Sequence, residues 1–173
     1  EAKILFSVKT FLGTNYFKLL ENEELPHLQH QISLDENHLS DQIKSIGSIK
    51  EHASEAKFPE INESDMADII FTSGTTGKPK GVMSTHVQNI KVFDYWSSYI
   101  GLNEKDQYLI VNPFFHTFCY KAGWLASIMR GATAYPCPVF DADKIIEIIN
   151  KEKISMLPGP PTLYQSILTS NLI

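Results

Sequence analysis

The stretch from Asp68 to Met83 leaves this chain little freedom of local structure. Ile69-Ile70-Phe71 is an apolar run of strand length and is expected to form a short buried strand. It breaks into Thr72-Ser-Gly-Thr-Thr-Gly77, where Gly74 and Gly77 admit backbone angles that other residues reach only with strain. The hydroxyls of Thr72, Ser73, Thr75 and Thr76 and the loop amides can donate hydrogen bonds, and Lys78 and Lys80 add positive charge. Backbone amides, hydroxyls and ammonium groups on one bend make a cradle for phosphate. A P-loop needs four residues between its first glycine and the Gly-Lys pair, but only two separate Gly74 from Gly77. Pro79 has no backbone N–H and disfavours a helical Lys78, so a helix opening at that lysine is not expected. The dinucleotide fingerprint G-x-G-x-x-G fails as well, because no glycine stands two before Gly77. A strand at Lys80 to Met83 would exclude a Walker-type kinase.

The string Thr72-Ser-Gly-Thr-Thr-Gly-Lys-Pro-Lys-Gly81, with an apolar strand before it and Val82-Met83 after it, resembles the signature loop of the adenylate-forming superfamily. That group includes acyl-CoA synthetases, luciferases and the adenylation domains of peptide synthetases. The plain alternative is a Gly/Thr-rich turn with solvated lysines.

Composition sets the outer limits. A chain of 173 residues with 43% hydrophobic and 20% charged residues is ordinary for a globular protein with a sizeable core. The net charge of −5 argues against a nucleic-acid-binding surface. No apolar run is long enough to span a bilayer, and no charged-then-apolar leader opens the sequence. Cys119 and Cys137 make no disulfide framework, so a reducing cytoplasm is the expected location.

Along the chain, Lys3 to Ser7 reads as a strand, Gly13 to Asn15 as a break, Tyr16 to Glu21 as a helix and Leu28 to Leu34 as a strand. This suggests a parallel βαβ segment over 1–38. His27, His30 and His38 are scattered and form no helical i,i+4 metal pair. Residues 39–66 read as a polar surface connection with one helix around Leu39 to Ile46. Its acidic end, Glu60 to Asp68, is expected to be solvated.

The third segment, 67–173, carries the loop and the remaining strands and helices. Thr85-His-Val-Gln88 has capping-box spacing. Ile90, Phe93, Trp96 and Ile100 then recur on one helical face, stopped by Gly101. Tyr108 to Asn112 is an apolar strand ended by Pro113. Trp124 to Arg130 reads as helix, Thr133 to Tyr135 as strand, Asp141 to Lys153 as a capped helix and Ile154 to Leu157 as strand. Strand and helix alternate, which predicts an α/β fold: a layered, parallel-rich sheet with flanking helices.

A histidine among aromatics just past a strand end, as in Asn112-Pro-Phe-Phe-His116-Thr-Phe118-Cys119, suits a ligand cleft, and a hydrogen-bonded core histidine is the alternative. His116-x-x-Cys119 would still lack partners for zinc, since Cys137 alone does not complete a tetrahedral site. Cys119 has no evident positioned base as a nucleophile. The stretch resembles the superfamily's Pro-aromatic-Phe-His motif. By that resemblance His116 and Phe115 line the acyl pocket, with Gly159 from Gly159-Pro-Pro-Thr-Leu-Tyr164. Cys119 stands near a position where the family commonly has glycine, and its bulk is expected to reshape the pocket. Together these pieces look most like acyl-CoA synthetases of the fatty-acid or steroid-side-chain type.

The resemblance implies part of the N-terminal domain of an ATP-dependent carboxylate–CoA ligase, with an antiparallel strand pair around the loop. In such an enzyme a carboxylate attacks the α-phosphate of ATP, and coenzyme A then displaces AMP. Thr72, Ser73, Gly74, Thr75, Thr76, Gly77 and Lys78 would hold the ATP phosphates, with Mg2+ sharing the charge. No catalytic or metal-ligating residue is assigned within 1–173. The family's Tyr-Gly-x-Thr-Glu motif and its ribose-gripping Asp do not occur here, and its hinge and mobile domain would lie beyond Ile173. The expectation is therefore that this segment alone does not catalyse adenylation and works with the remainder of a parent chain. The competing expectation is a truncated, non-catalytic nucleotide-binding or interaction module.

Overall fold

The computed structural model describes residues 2–37, 40–51, 54–55, 57–74, 77–170 and 172. His38, Leu39, Thr75 and Thr76, all named above, lie outside the described residues. Contacts divide the chain into two units, Glu1–Pro59 and Glu60–Ile173.

The first unit begins with β1 (Ile4–Ser7) and turns through a hairpin of β2 (Thr10–Phe11) and β3 (Thr14–Asn15). Leu12 and Gly13 both take left-handed angles, φ 49° and 79°, as a two-residue hairpin turn requires. The expected helix at Tyr16 to Glu21 shrinks to one 3-10 turn, Lys18–Leu20, because so short a segment cannot offset the cost of helix nucleation. The chain returns as β4 (His30–Ser33), parallel to β1 with Ile4 opposite His30. The helix expected around Leu39 to Ile46 is displaced. Ile43–Ser45 is instead β5, parallel to β4, and helix α1 follows over Ile46–Glu51. An adjacent open strand edge here outweighs weak helix propensity.

The second unit holds the signature stretch. Strands β6 (Met66–Thr72) and β7 (Lys80–Thr85) form an antiparallel ribbon, with Thr72 opposite Lys80 at the tip and Asp68 opposite Ser84 near the root. The strand at Lys80 excludes the helix that a Walker-type loop needs. Contrary to expectation, the Ile69–Phe71 strand is not buried: Ile69 is 45% and Phe71 71% exposed. A two-stranded ribbon covers neither of its faces by itself.

Thr85 then caps α2 (His86–Tyr99), with its side chain accepting from the Gln88 amide and the Gln88 side chain accepting from the Thr85 amide. Phe93 is buried as expected, but Ile90 is exposed, and the buried face continues through the polar Asn89 and Ser97. Gly101 ends the helix at φ 72°.

Strand β8 (Gln107–Ile110) is the centre of this unit. Tyr108 and Ile110 pack with Leu102, Cys119 and Ala126, while Leu109 and Val111 pack with Ile145 and Leu163. A strand covered on both faces reads as a continuous apolar run, and Tyr108 to Val111 is one. After it, Phe118–Leu125 winds as a π-helix and passes into α3 (Ala126–Arg130), so the helix expected from Trp124 starts six residues earlier. Gly131 ends α3 at φ 71°.

Strand β9 (Thr133–Pro136) lies parallel to β8, and Asp141 caps α4 (Ala142–Glu152) through the Lys144 amide. The strand expected at Ile154 to Leu157 is reduced to a parallel bridge from Met156 to Tyr108. Pro161 opens α5 (Pro161–Leu168). No helix among the described residues is long and apolar enough to cross a membrane.

Candidate functional site

The ribbon ends in the glycine-rich bend. Ser73, Gly77, Lys78 and Pro79 are exposed, so the bend faces solvent and is not packed into the core. Gly74 and Gly77 take left-handed angles, φ 59° and 79°, and the Gly77 amide donates to the Gly74 carbonyl at 3.3 Å. The two glycines differ in their surroundings. A β-carbon on Gly74 would lie 2.2 Å from the Lys78 carbonyl oxygen, whereas one on Gly77 would meet nothing within 4 Å. Gly74 is therefore the point where the backbone folds closely onto the residue carrying the ammonium group. The Thr72 hydroxyl donates at 3.5 Å to the Lys80 carbonyl across the ribbon. Thr75 and Thr76 complete the expected phosphate set but lie outside the described residues.

A second feature opens where β8 ends. Asn112, Pro113, Phe115, His116, Phe118, Gly159 and Pro160 line an open, mainly apolar cavity of about 450 Å³. That size suits a small organic ligand. His116 is exposed, not a core histidine. Its Nδ1 accepts a hydrogen bond from the Phe118 amide at 3.1 Å, which assigns the proton of the neutral ring to Nε2. Gly159 sits tight against Leu163, where an added β-carbon would be 3.0 Å from the Leu163 side chain. Cys119 does not line the cavity. It is buried, and its Sγ donates to the Asn112 carbonyl at 2.6 Å. Burial pushes this thiol up to about 11, so it is a poor nucleophile.

A polar cluster stands at the root of the ribbon. Lys121, on the π-helix, is 3% exposed. Its Nζ donates to Asp68 Oδ1 at 2.9 Å, to Asn89 Oδ1 at 2.7 Å and to Ser84 Oγ at 3.3 Å. Asn89 Nδ2 in turn donates to Asp68 Oδ2 at 2.7 Å. Asp68 is thus not the solvated residue expected of the acidic approach, since its side chain is only 13% exposed and is paired with an opposite charge. Among the described residues no group of three or more His, Cys, Asp or Glu side chains is placed to hold a metal ion.

A family model described as "AMP-binding enzyme" matches residues 1–172. The chain belongs to the AMP-binding enzyme family. It is 46% identical over 115 residues to 3-[(3aS,4S,7aS)-7a-methyl-1,5-dioxo-octahydro-1H-inden-4-yl]propanoyl:CoA ligase of Rhodococcus jostii (strain RHA1), covering 66% of this chain and 22% of that protein. It is 38% identical over 170 residues to the ligase of the same name from Mycobacterium tuberculosis (strain ATCC 25618 / H37Rv), covering 96% of this chain and 34% of that one. Among solved structures, O-succinylbenzoate coenzyme A synthetase of Bacillus subtilis, in complex with ATP and magnesium ion, superimposes with a TM-score of 0.70 at 25% identity, covering 98% of this chain and 32% of that one. The chain therefore spans between a fifth and a third of the length of these relatives.

The stretch that resembles the adenylate-forming signature loop stands at the tip of the β6–β7 ribbon. Of the four residues expected in the acyl pocket, the fold brings Phe115, His116 and Gly159 to one cavity and leaves Cys119 behind it. Sequence reasoning did not single out Asn112, Pro113, Phe118 and Pro160 as lining residues, although Phe118 adjoins Cys119, Pro160 adjoins Gly159, and Asn112 and Pro113 open the stretch that carries Phe115 and His116. It also missed Lys121. A lone lysine inside the apolar run Cys119-Tyr-Lys-Ala-Gly-Trp-Leu125 is the signal that points to a buried, paired cation.

Proposed function

We propose that this chain is the phosphate-grasping and acyl-binding part of an ATP-dependent carboxylate–CoA ligase. A carboxylate attacks the α-phosphate of ATP, forming the acyl-adenylate and releasing pyrophosphate. The thiol of coenzyme A then attacks the acyl carbon and displaces AMP. Ser73 to Lys78, with the Thr72 hydroxyl, hold the β- and γ-phosphates, and the Lys78 ammonium stabilises the departing pyrophosphate. Magnesium would supply further charge neutralisation on the phosphates, held largely by the remainder of the parent chain. Phe115, His116 and Gly159 line the pocket for the acyl group, and His116 shapes that pocket without moving protons.

The observation that carries this reading is the solvent-facing bend, hinged at two left-handed glycines, on an antiparallel ribbon that continues as strand after Lys78. The exposed apolar side chains of that ribbon, Ile69, Phe71, Val82 and Met83, suit packing against the remainder of a parent chain. We assign the activity to the assembled enzyme in the cytoplasm and none to residues 1–173 alone. The test is carboxylate-dependent ATP–pyrophosphate exchange by the full-length protein against a panel of carboxylic acids. Lys78→Ala should lower the exchange rate on the order of 10²- to 10³-fold. Lack of exchange with every acid, or an unchanged rate in Lys78→Ala, would refute the assignment, and robust exchange by residues 1–173 alone would overturn the division of labour.

A further inference from the structure

We infer that Lys121 is a positioning residue for the phosphate loop, holding the β6–β7 ribbon at its root and so fixing where the loop at its tip stands; this rests on the function proposed above. Asp68 and Ser84 are direct partners across the ribbon, one on each strand, and Lys121 Nζ bonds to both. Its third donor goes to Asn89 on α2, the helix that continues from β7. All three N–H donors of the ammonium are thereby used, on three different elements. The Asn89 amide closes the cluster by donating back to Asp68.

A register irregularity between Met66 and Asp68 makes this arrangement possible. Met66 faces Thr85 and Asp68 faces Ser84, so two steps on β6 match one on β7. Without that bulge Asp68 would stand opposite Met83 and its carboxylate would leave the face it shares with Ser84. Four regular rungs then run from this clamp to Thr72 and Lys80, where the bend begins. Among the described residues Ile69 and Phe71 are exposed and Ile70 is only half-buried, so the clamp and the capped start of α2 are the polar contacts that orient the ribbon.

Lys121 lies in the same π-helix that begins just after His116. The turn that sets His116 is closed locally, by the His116 amide to the Pro113 carbonyl and by the Phe118 amide to His116 Nδ1. Loss of the lysine should therefore misplace the loop and leave the acyl cavity largely as it is.

The test uses the full-length protein with Lys121→Met, the charge-neutral pair Lys121→Met/Asp68→Asn, and Ser84→Ala, assayed well below their melting midpoints. Steady-state kinetics are paired with hydrogen exchange of the peptide spanning 68–85 with and without ATP. In both Lys121 variants kcat/KM for ATP should fall about ten- to a hundredfold, the size expected of a small misplacement remote from the chemistry. KM for the carboxylate should move less than about twofold. Amides of the ribbon should exchange faster in both Lys121 variants, and ATP should no longer slow them. Ser84→Ala should show the same pattern, weaker. If Lys121→Met does not fold, the neutral pair carries the test. A drop in melting midpoint with unchanged ATP kinetics and unchanged exchange would overturn the inference, as would equal rises in both Michaelis constants. If the unaltered protein shows no exchange reaction with any carboxylate, the proposed function fails, and the hydrogen-exchange arm still decides whether Lys121 orders the ribbon.

Discussion

Replacing Gly74 and Gly77 separately by alanine tests whether the bend works through close backbone approach or through glycine's conformational freedom alone. Both residues sit at left-handed angles, which cost an alanine about 1–2 kcal/mol. Only at Gly74 does the new β-carbon strike backbone, 2.2 Å from the Lys78 carbonyl oxygen. Relieving that overlap means moving Lys78 itself, a repacking cost of about 1–3 kcal/mol. At ~1.36 kcal/mol per decade, Gly77→Ala should reduce ATP–pyrophosphate exchange by about 5- to 30-fold and Gly74→Ala by about 30- to several thousand-fold. Because the bend is exposed at the tip of a ribbon, it can relax to another conformation in the free folded protein, so the strain is met when the loop closes on the phosphates and not in the core around β8. Urea unfolding of the two variants should thus stay within about 1 kcal/mol of the unaltered protein. Equal losses of activity at the two positions would refute the close-approach argument. So would a Gly74→Ala protein whose lost activity is matched by lost folding stability.

Two other measurements probe the helix end and the buried thiol. Lys153 ends α4 in the left-handed region, φ 54°, so Lys153→Gly should raise unfolding free energy by about 1 kcal/mol in denaturant titration; a loss of stability would contradict it. The Cys119 thiol is held up at about 11, while an unfolded chain releases that proton near the ordinary value of 9.0. The folded state therefore binds the extra proton, so the stability from this group is complete below pH 9 and declines as pH rises towards 11. Urea titrations across that window should show the decline and Cys119→Ala should flatten it, while alkylation of the native chain should reach the half-buried Cys137 well before the buried Cys119.

Local punctuation was legible because it depends on a few adjacent residues. The capping box at Thr85 and Gln88, the helix stops at Gly101 and Gly131, the Asp141 cap and the Pro79 veto on a helix all act within one turn of chain. The apolar run from Tyr108 to Val111 likewise announces a strand covered on both faces. By contrast, β5 appeared where helix was expected, because the open edge of β4 is invisible from residues 43–45 alone. The cavity needed the end of β8 and the start of α5 to meet, with Asn112 and Pro160 nearly fifty positions apart in sequence.

What the amino-acid order determined unaided is the outline of the bend: an apolar run, two glycines and a proline dictate a strand from Ile69 to Phe71 and then a turn that cannot open a helix at Lys78. What only the tertiary structure decided is how that bend is held. Asp68 and Lys121, 53 positions apart, become an ion pair because a bulge in β6 and a π-turn bring the partly buried carboxylate to the buried ammonium, which has no access to water to replace it. Short-range rules arise from steric and hydrogen-bond limits on neighbouring residues, whereas burial and pairing depend on which distant surfaces exclude water together.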